Sequence, residues 1–148
     1  MKTYSFQSNS IDQLKDSLDA SQEAELQPNL AVVFCSKQQD VEAVRAVFVG
    51  ANIDFVGCST AGEIVDAELY EGAISVLLFE INTAYYQLLY EDYLDGAVYE
   101  ASVKLAQRAI QEYKNPALII MSGGLAVDAE QIIKGIRTGA GRDLPTYG

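Results

Sequence analysis

Two runs decide the fold: Leu30-Ala31-Val32-Val33-Phe34-Cys35, and Ile53-Asp54-Phe55-Val56 leading straight into Gly57-Cys58-Ser59-Thr60-Ala61-Gly62. The first is a continuous apolar stretch of strand length, the pattern of a strand covered on both faces. Between the runs, Val41, Val44, Val47 and Phe48 recur at helical spacing. Ser36 and Asp40 are alternative N-caps for that helix, and Gly50 is a natural C′ residue. Strand, helix and strand form a β-α-β unit whose right-handed crossover places the strands parallel.

Gly57–Gly62 puts two glycines, a thiol and two hydroxyls on one tight piece of backbone after the second strand. Read as a loop, such sequence turns successive N–H groups inward as an anion-binding nest. A plain strand-to-loop turn accounts for the same residues. No lysine stands where a Walker loop needs one, and Thr60-Ala61 after Ser59 breaks the Gly-x-Ser-x-Gly spacing. Cys58 has no histidine or neighbouring base to activate it and reads as a small packing residue; Cys35, inside an apolar run, reads as core.

Toward the amino terminus, Thr3–Phe6 reads as a short strand with Tyr4 and Phe6 on one face. Ser10-Ile11-Asp12-Gln13 has the capping-box form, and Ile11, Leu14 and Leu18 continue a helix to about Glu23, stopped near Pro28. Toward the carboxyl terminus, Gly72–Ile81 and Ala84–Tyr90 are β-prone runs joined by Asn82-Thr83, the signature of an antiparallel hairpin. A long helix follows over Leu94–Tyr113, with Val98, Ala101, Leu105 and Ala109 as its buried stripe. Ala117–Met121 is a strand leading into Ser122-Gly123-Gly124. The last helix turns Ile132, Ile133 and Ile136 inward and ends at Gly139 and Gly141, and Leu144–Gly148 opens a further strand. The fold class is α/β: a mixed sheet with parallel β-α-β pieces and one antiparallel hairpin, covered by helices. No repeat or linker divides the 148 residues, which read as a single domain.

Composition narrows the function. Lys and Arg total 10 against 21 Asp and Glu, a net charge of −11, which disfavours nucleic acid and anionic membrane surfaces. Met1–Phe6 lacks a signal-peptide pattern, no run is long enough to span a membrane, and two cysteines make no disulfide framework; a reducing cytoplasm fits these features. With no histidine, Ser-His-Asp and Cys-His pairs and His-ligated metals are excluded within the chain, so neither catalysis, a metal nor a cofactor is expected. Glu91, Asp92 and Asp95 read as helix-start acids, and Asp66 as a solvated one. Tyr85, Tyr86, Tyr90 and Tyr93 read as packing or interface residues.

Phe55-Val56-Gly57-Cys58-Ser59-Thr60-Ala61-Gly62-Glu63-Ile64 resembles the amino-terminal part of the FIST domain. The resemblance extends over the Leu30–Cys35 strand with Ser36, the Gly72–Phe79 strand, the Pro116–Met121 strand with its glycine turn, and Leu144–Gly148. It implies a sensory module of intracellular, bacterial-type signalling that binds small ligands, amino acids being the proposed class, beside signalling output proteins. The family pattern continues beyond Gly148, so the chain reads as a short relative or a fragment.

The expected ligand site is Gly57, Cys58, Ser59, Thr60, Ala61 and Gly62, with Glu63 meeting a ligand ammonium and Ser122, Gly123 and Gly124 forming the opposite wall. The premise is that strands ending at Val56 and Met121 are parallel, since ligands collect beyond the carboxyl ends of such strands. Two rival functions use other features. An enzyme of acyl or phosphoryl transfer would use Cys58 or Ser59 with a base from elsewhere. A protein-interaction or dimerisation module would pair through a hairpin edge, as a homodimer or with a partner.

Overall fold

The apolar run at Leu30 lies inside a four-stranded sheet. The computed structural model describes residues 1–23, 25–65, 68–94, 96–123 and 127–148, with side chains for all of these but 23, 63–65 and 69. Two compact units divide the chain, Met1–Gln87 and Leu88–Gly148.

In the first unit, β1 (Lys2–Ser8), α1 (Ile11–Glu23), β2 (Leu30–Ser36), α2 (Val41–Gly50) and β3 (Asp54–Thr60) follow one another. β2 and β3 pair in parallel, Leu30 opposite Asp54 through Ser36 opposite Thr60, as the β-α-β reading requires. After a small antiparallel hairpin of β4 (Glu63–Val65) and β5 (Glu68–Tyr70), β6 (Ile74–Glu80) returns and inserts between β1 and β2, antiparallel to both. Phe6 and Ala31, Val33, Cys35 face the same way as Ile74, Val76 and Leu78. With Leu14 and Leu18 of α1 and Val44 and Phe48 of α2 they form one buried cluster, so both helices cover one face of the sheet.

Local signals set the helix ends. At α1, Gln13 N–H donates to Ser10 Oγ (3.2 Å) while Gln13 Oε1 accepts from Asn9 N–H (2.8 Å), a capping box displaced by one residue on its return bond. Asp40 caps α2, its Oδ1 accepting from Ala43 N–H at 3.0 Å. The α2 exit differs from expectation. Gly50 is still helical, and Asn52, at φ 55, takes the left-handed position. Asn52 N–H then bonds Val49 O and Ile53 N–H bonds Phe48 O, a Schellman motif whose apolar contact, Phe48 with Ile53, is part of the core. Asparagine tolerates this conformation, which frees the glycine from the role.

The hairpin expected from Gly72–Ile81 and Ala84–Tyr90 does not form. The first run is β6, but β1 and β2 occupy both of its edges, leaving none for a hairpin partner. The second run instead begins with a 3₁₀ turn, Thr83–Tyr85, capped by Asn82 Oδ1 accepting from Ala84 N–H at 2.9 Å. Asn29 ties down the chain as it leaves β6: its side-chain amide donates to Ile81 O (2.6 Å) and accepts from Ile81 N–H (3.1 Å). The Tyr86 hydroxyl lies 2.9 Å from Asp54 Oδ2 and 3.1 Å from Asn29 O, one proton facing two acceptors.

In the second unit, α3 is Val98–Glu112, β7 Leu118–Ile119, α4 Ala129–Ala140 and β8 Thr146–Tyr147. β7 and β8 pair in parallel, so the strand expected at Leu144–Gly148 is present. α3 starts later than expected because Gly96, at φ 84, interrupts its approach. Asp128 caps α4 by accepting from Glu130 N–H at 2.9 Å, and Gly141, at φ 66, ends it. Gly139 is therefore inside α4, where it serves packing. A Cβ there would lie 2.3 Å from Val103 O, and one at Gly135 would lie 2.5 Å from Tyr99 O and 2.7 Å from Ser102 Cβ. The Gly135-x-x-x-Gly139 ridge thus lets α4 sit directly on the α3 backbone beside Ser102 and Ala106. Close approach rather than bulk sets this crossing, so Ile132 and Ile136 are buried and Ile133 is exposed, against expectation. Ser102 and Ala106 likewise take buried positions, with Leu105 only half-buried.

Two outcomes follow from this packing. Gly135→Ala will destabilise by about 1–3 kcal/mol despite its better helix propensity, because the new methyl meets backbone. Gly50→Ala, whose added Cβ meets nothing within 4 Å, will be neutral or stabilising by up to about 1 kcal/mol. Urea midpoints of the two variants, measured side by side, check the contrast; equal effects would refute it.

The Tyr86 bond carries a pH signature. Burial, then the hydrogen bond and the charge of Asp54, raise the Tyr86 pKa above 10.0. A raised phenol pKa favours the protonated folded state. Its stabilisation is complete below the unfolded pKa near 10 and is lost as pH rises through the folded value. Tyr86→Phe will cost about 0.5–1 kcal/mol at neutral pH, and the gap to the parent will close above about pH 10. Denaturation of both proteins across that range measures the gap; a gap that widens there would refute the assignment.

Candidate functional site

Gly57, Cys58, Ser59 and Thr60 are strand, not loop. β3 runs on to Thr60, and only Ala61 and Gly62 leave it as a bend. An extended strand alternates the direction of its N–H groups, so these four residues cannot turn successive N–H groups inward as a nest. The sequence reading placed the strand end too early because four small residues look like a loop. In a parallel strand whose register is set by β2, small residues pair as well as large ones.

The six residues therefore do different things. Gly57 lies opposite Val33, and a Cβ there would stand 2.1 Å from Val33 O, so the strand pairing itself requires glycine. Cys58 is half-buried opposite the half-exposed Phe34, on the sheet face away from α1 and α2. Ser75, in the same lateral row as Phe34 and Cys58, is buried, and its hydroxyl makes no hydrogen bond among the described residues. Cys35 is buried in the core with its Sγ 3.5 Å from Ser36 O, as expected. Ser59 and Ala61 are exposed, and Thr60 and Gly62 are half-buried.

The carboxyl edge of β2 and β3 gathers what chemistry this stretch has. Ser36 and Thr60 end the two strands side by side, with Ser59, Ala61 and Gly62 adjoining. Four residues separate Ser36 from the start of α2, so its amino-terminal, positive end lies at the same edge. Lys37, exposed in the intervening turn, adds a cation that the sequence reading passed over. Its signal was available: among the residues between Lys15 and Arg45 it is the one base, and it directly follows a strand. Gln39 makes the turn rigid by donating from Nε2 to Gly72 O at 2.7 Å and Asn9 O at 3.0 Å, and Gln38 N–H donates to Ser36 Oγ at 3.3 Å.

The remaining candidates are placed as follows. Glu63 opens β4, and its side chain lies outside the described residues, as does all of Asp66, Asp95 and Gly124. Ser122 and Gly123 are exposed in the second unit, after β7. β7 pairs with β8 in the second unit, whereas β3 belongs to the four-stranded sheet of the first. Among the described residues no group of His, Cys, Asp and Glu could hold a metal ion. No helix there is long and apolar enough to cross a membrane.

Comparison with characterised proteins and with solved structures gives no significant match to either. The sequence profile of the FIST N domain does match, over residues 29–148, which takes in β2, β3, the Gly57–Gly62 stretch, β6 and the whole second unit. With well over half of its length matched, the chain belongs to the FIST N domain family, a placement consistent with a sensory signal-transduction domain.

Proposed function

We propose that this domain is a sensor of intracellular signalling that binds a small carboxylate, an amino acid or a close analogue, at the carboxyl edge of β2 and β3, and has no catalysis of its own. One observation carries the reading. The parallel pair ends in hydroxyl-bearing and small residues, Ser36, Ser59, Thr60, Ala61 and Gly62, beside Lys37 and the amino-terminal end of α2. Ligands of open α/β sheets settle at such edges. The hydroxyls donate to a carboxylate and accept from an ammonium, while Lys37 and the helix end favour the anion. Ala61 and Gly62 leave room for a ligand to approach the backbone. Gly57 has a structural part in this reading, holding β3 against β2. A bound ligand changes signalling output only as far as it prefers one of two conformations.

Thermal denaturation in the presence of free amino acids and small carboxylates is the direct test. A ligand at one hundred times its dissociation constant will add about 2.7 kcal/mol of stability. Lys37→Ala will weaken that ligand about fivefold with little change in the urea midpoint, as befits an exposed ion pair worth about 1 kcal/mol. Gly62→Val will lose more ligand affinity than its change in folding stability explains, whereas Gly57→Ala will lose folding stability first. No shift with any of these ligands in a folded protein would overturn the reading. Full affinity in Gly62→Val would remove the end of β3 from the site.

A further inference from the structure

α1 and α2 cover the sheet on one side, and between them lies a surface groove that no function above uses. It is a concavity of about 260 Å³ lined by Lys15, Leu18, Asp19 and Gln22 of α1 and by Ala46, Val47, Gly50 and Ala51 at the end of α2. The floor is apolar and low. Leu18 and Val47 belong to or pack on the core, Ala46 and Ala51 are small, and a Cβ at Gly50 would meet nothing within 4 Å.

The rim is electronegative for three reasons. Asp12, Asp16 and Asp19 recur at helical spacing along the exposed side of α1. Lys15, the base among them, stands 4.0 Å from Asp12, and Arg45 of α2 is engaged by Glu42 at 3.0 Å, so both cations are already matched. Finally, both helices end at the same side of the unit. β1, β2 and β3 run in one direction, so the two connecting helices do too, and neither has a basic residue in its last turn. Two negative helix termini therefore flank the lower end of the groove; Lys2 Nζ meets the chain just past α1, at Glu25 O (3.2 Å), and no basic residue lies in the last turn of α2.

We infer that this groove is a docking surface for a cationic amphipathic helix of a partner protein, its apolar stripe laid over Leu18, Val47 and Gly50 and its Lys or Arg side chains against Asp16, Asp19 and the helix ends. Two parallel helices present ridges and a groove that a third helix fills. A strand would find no main-chain partner there, because helix backbones are internally bonded. A second copy of this chain, at −11, brings the wrong sign of charge. The proposal is independent of the ligand site at the strand ends.

The probe is a synthetic peptide of Leu and Lys at helical spacing, about 18 residues or five turns long, with two controls: Glu in place of Lys, and the same residues at alternating spacing. Amide shifts of the labelled protein on titration will cluster on Lys15–Gln22 and Ala46–Ala51 with the helical cationic peptide alone. Gly50→Leu, whose Cβ has open space and whose side chain would occupy the groove, will weaken the peptide roughly tenfold. Asp16→Lys with Asp19→Lys will weaken it more than Glu71→Lys with Glu112→Lys, a change of equal charge on exposed positions elsewhere. Shifts scattered over all acidic surfaces, equal losses in the two charge variants, or no binding would overturn the proposal. A mass that rises with protein concentration alone and is abolished by Gly50→Leu would give the groove to a second copy, and would overturn it too.

Discussion

The first unit depends on β6 being held between β1 and β2. Among the described residues only β6 and β2 have neighbours on both sides, and β6 supplies Ile74, Val76 and Leu78, all buried, to the core beneath α1 and α2. β1 touches the rest of the sheet through β6 alone. Its pairing, Lys2 with Glu80 through Ser8 with Ile74, joins the two ends of the unit. The β-α-β segment can assemble from nearby sequence, but the amino-terminal strand has to await a strand more than sixty residues away. Such pairing carries a loop-closure cost that the local β2-α2-β3 contacts do not. Weakening β6 would accordingly release β1 and uncover the core, while weakening β3 would strip one edge.

That constraint marks where sequence reading stops. A run such as Ile74–Glu80 announces a strand by composition, and α1, β2 and α2 announce themselves by periodicity and caps. Their spans agree with expectation to within a residue or so. Nothing in the run names its neighbours. The nearest β-prone sequence in the chain, Ala84–Tyr90, looked like the partner, but the edges of β6 were already filled by strands that precede it. The mixed α/β class was therefore legible, with its parallel unit and an antiparallel hairpin, whereas the hairpin's location at β4 and β5 was not. Helix packing in the second unit shows a similar limit. A stripe of three isoleucines suggested the inward side of α4, yet two glycines at i and i+4 face α3, where a Cβ would meet its backbone, and Ile133 is left exposed.

The site was legible as a neighbourhood rather than as a mechanism. The Gly57–Ile64 phrase drew the eye to the correct family, and its end does lie at the carboxyl edge of a parallel strand pair. The backbone nest imagined there failed on conformation, since strand pairing continues to Thr60. Lys37 was missed because it stands outside the phrase in sequence and joins it only through the register of Ser36 with Thr60. Side chains brought together by pairing between separate strands leave no local pattern to read.

Within one short phrase the fold and the proposed site thus make different demands on neighbouring residues. Gly57 is fixed by a backbone contact to Val33 that exists whether or not anything binds. Cys58 lies beside Phe34 on the open side of the sheet, where a small half-buried side chain suffices. Ser59 and Ala61 face solvent, with no packing role among the described contacts that would demand residues so small, and Gly62 is half-buried. Smallness that the sheet does not require is what an approaching molecule would require. The case for a ligand therefore rests on the last part of the phrase, from Ser59 to Gly62, and the glycine that begins it is explained by the sheet alone.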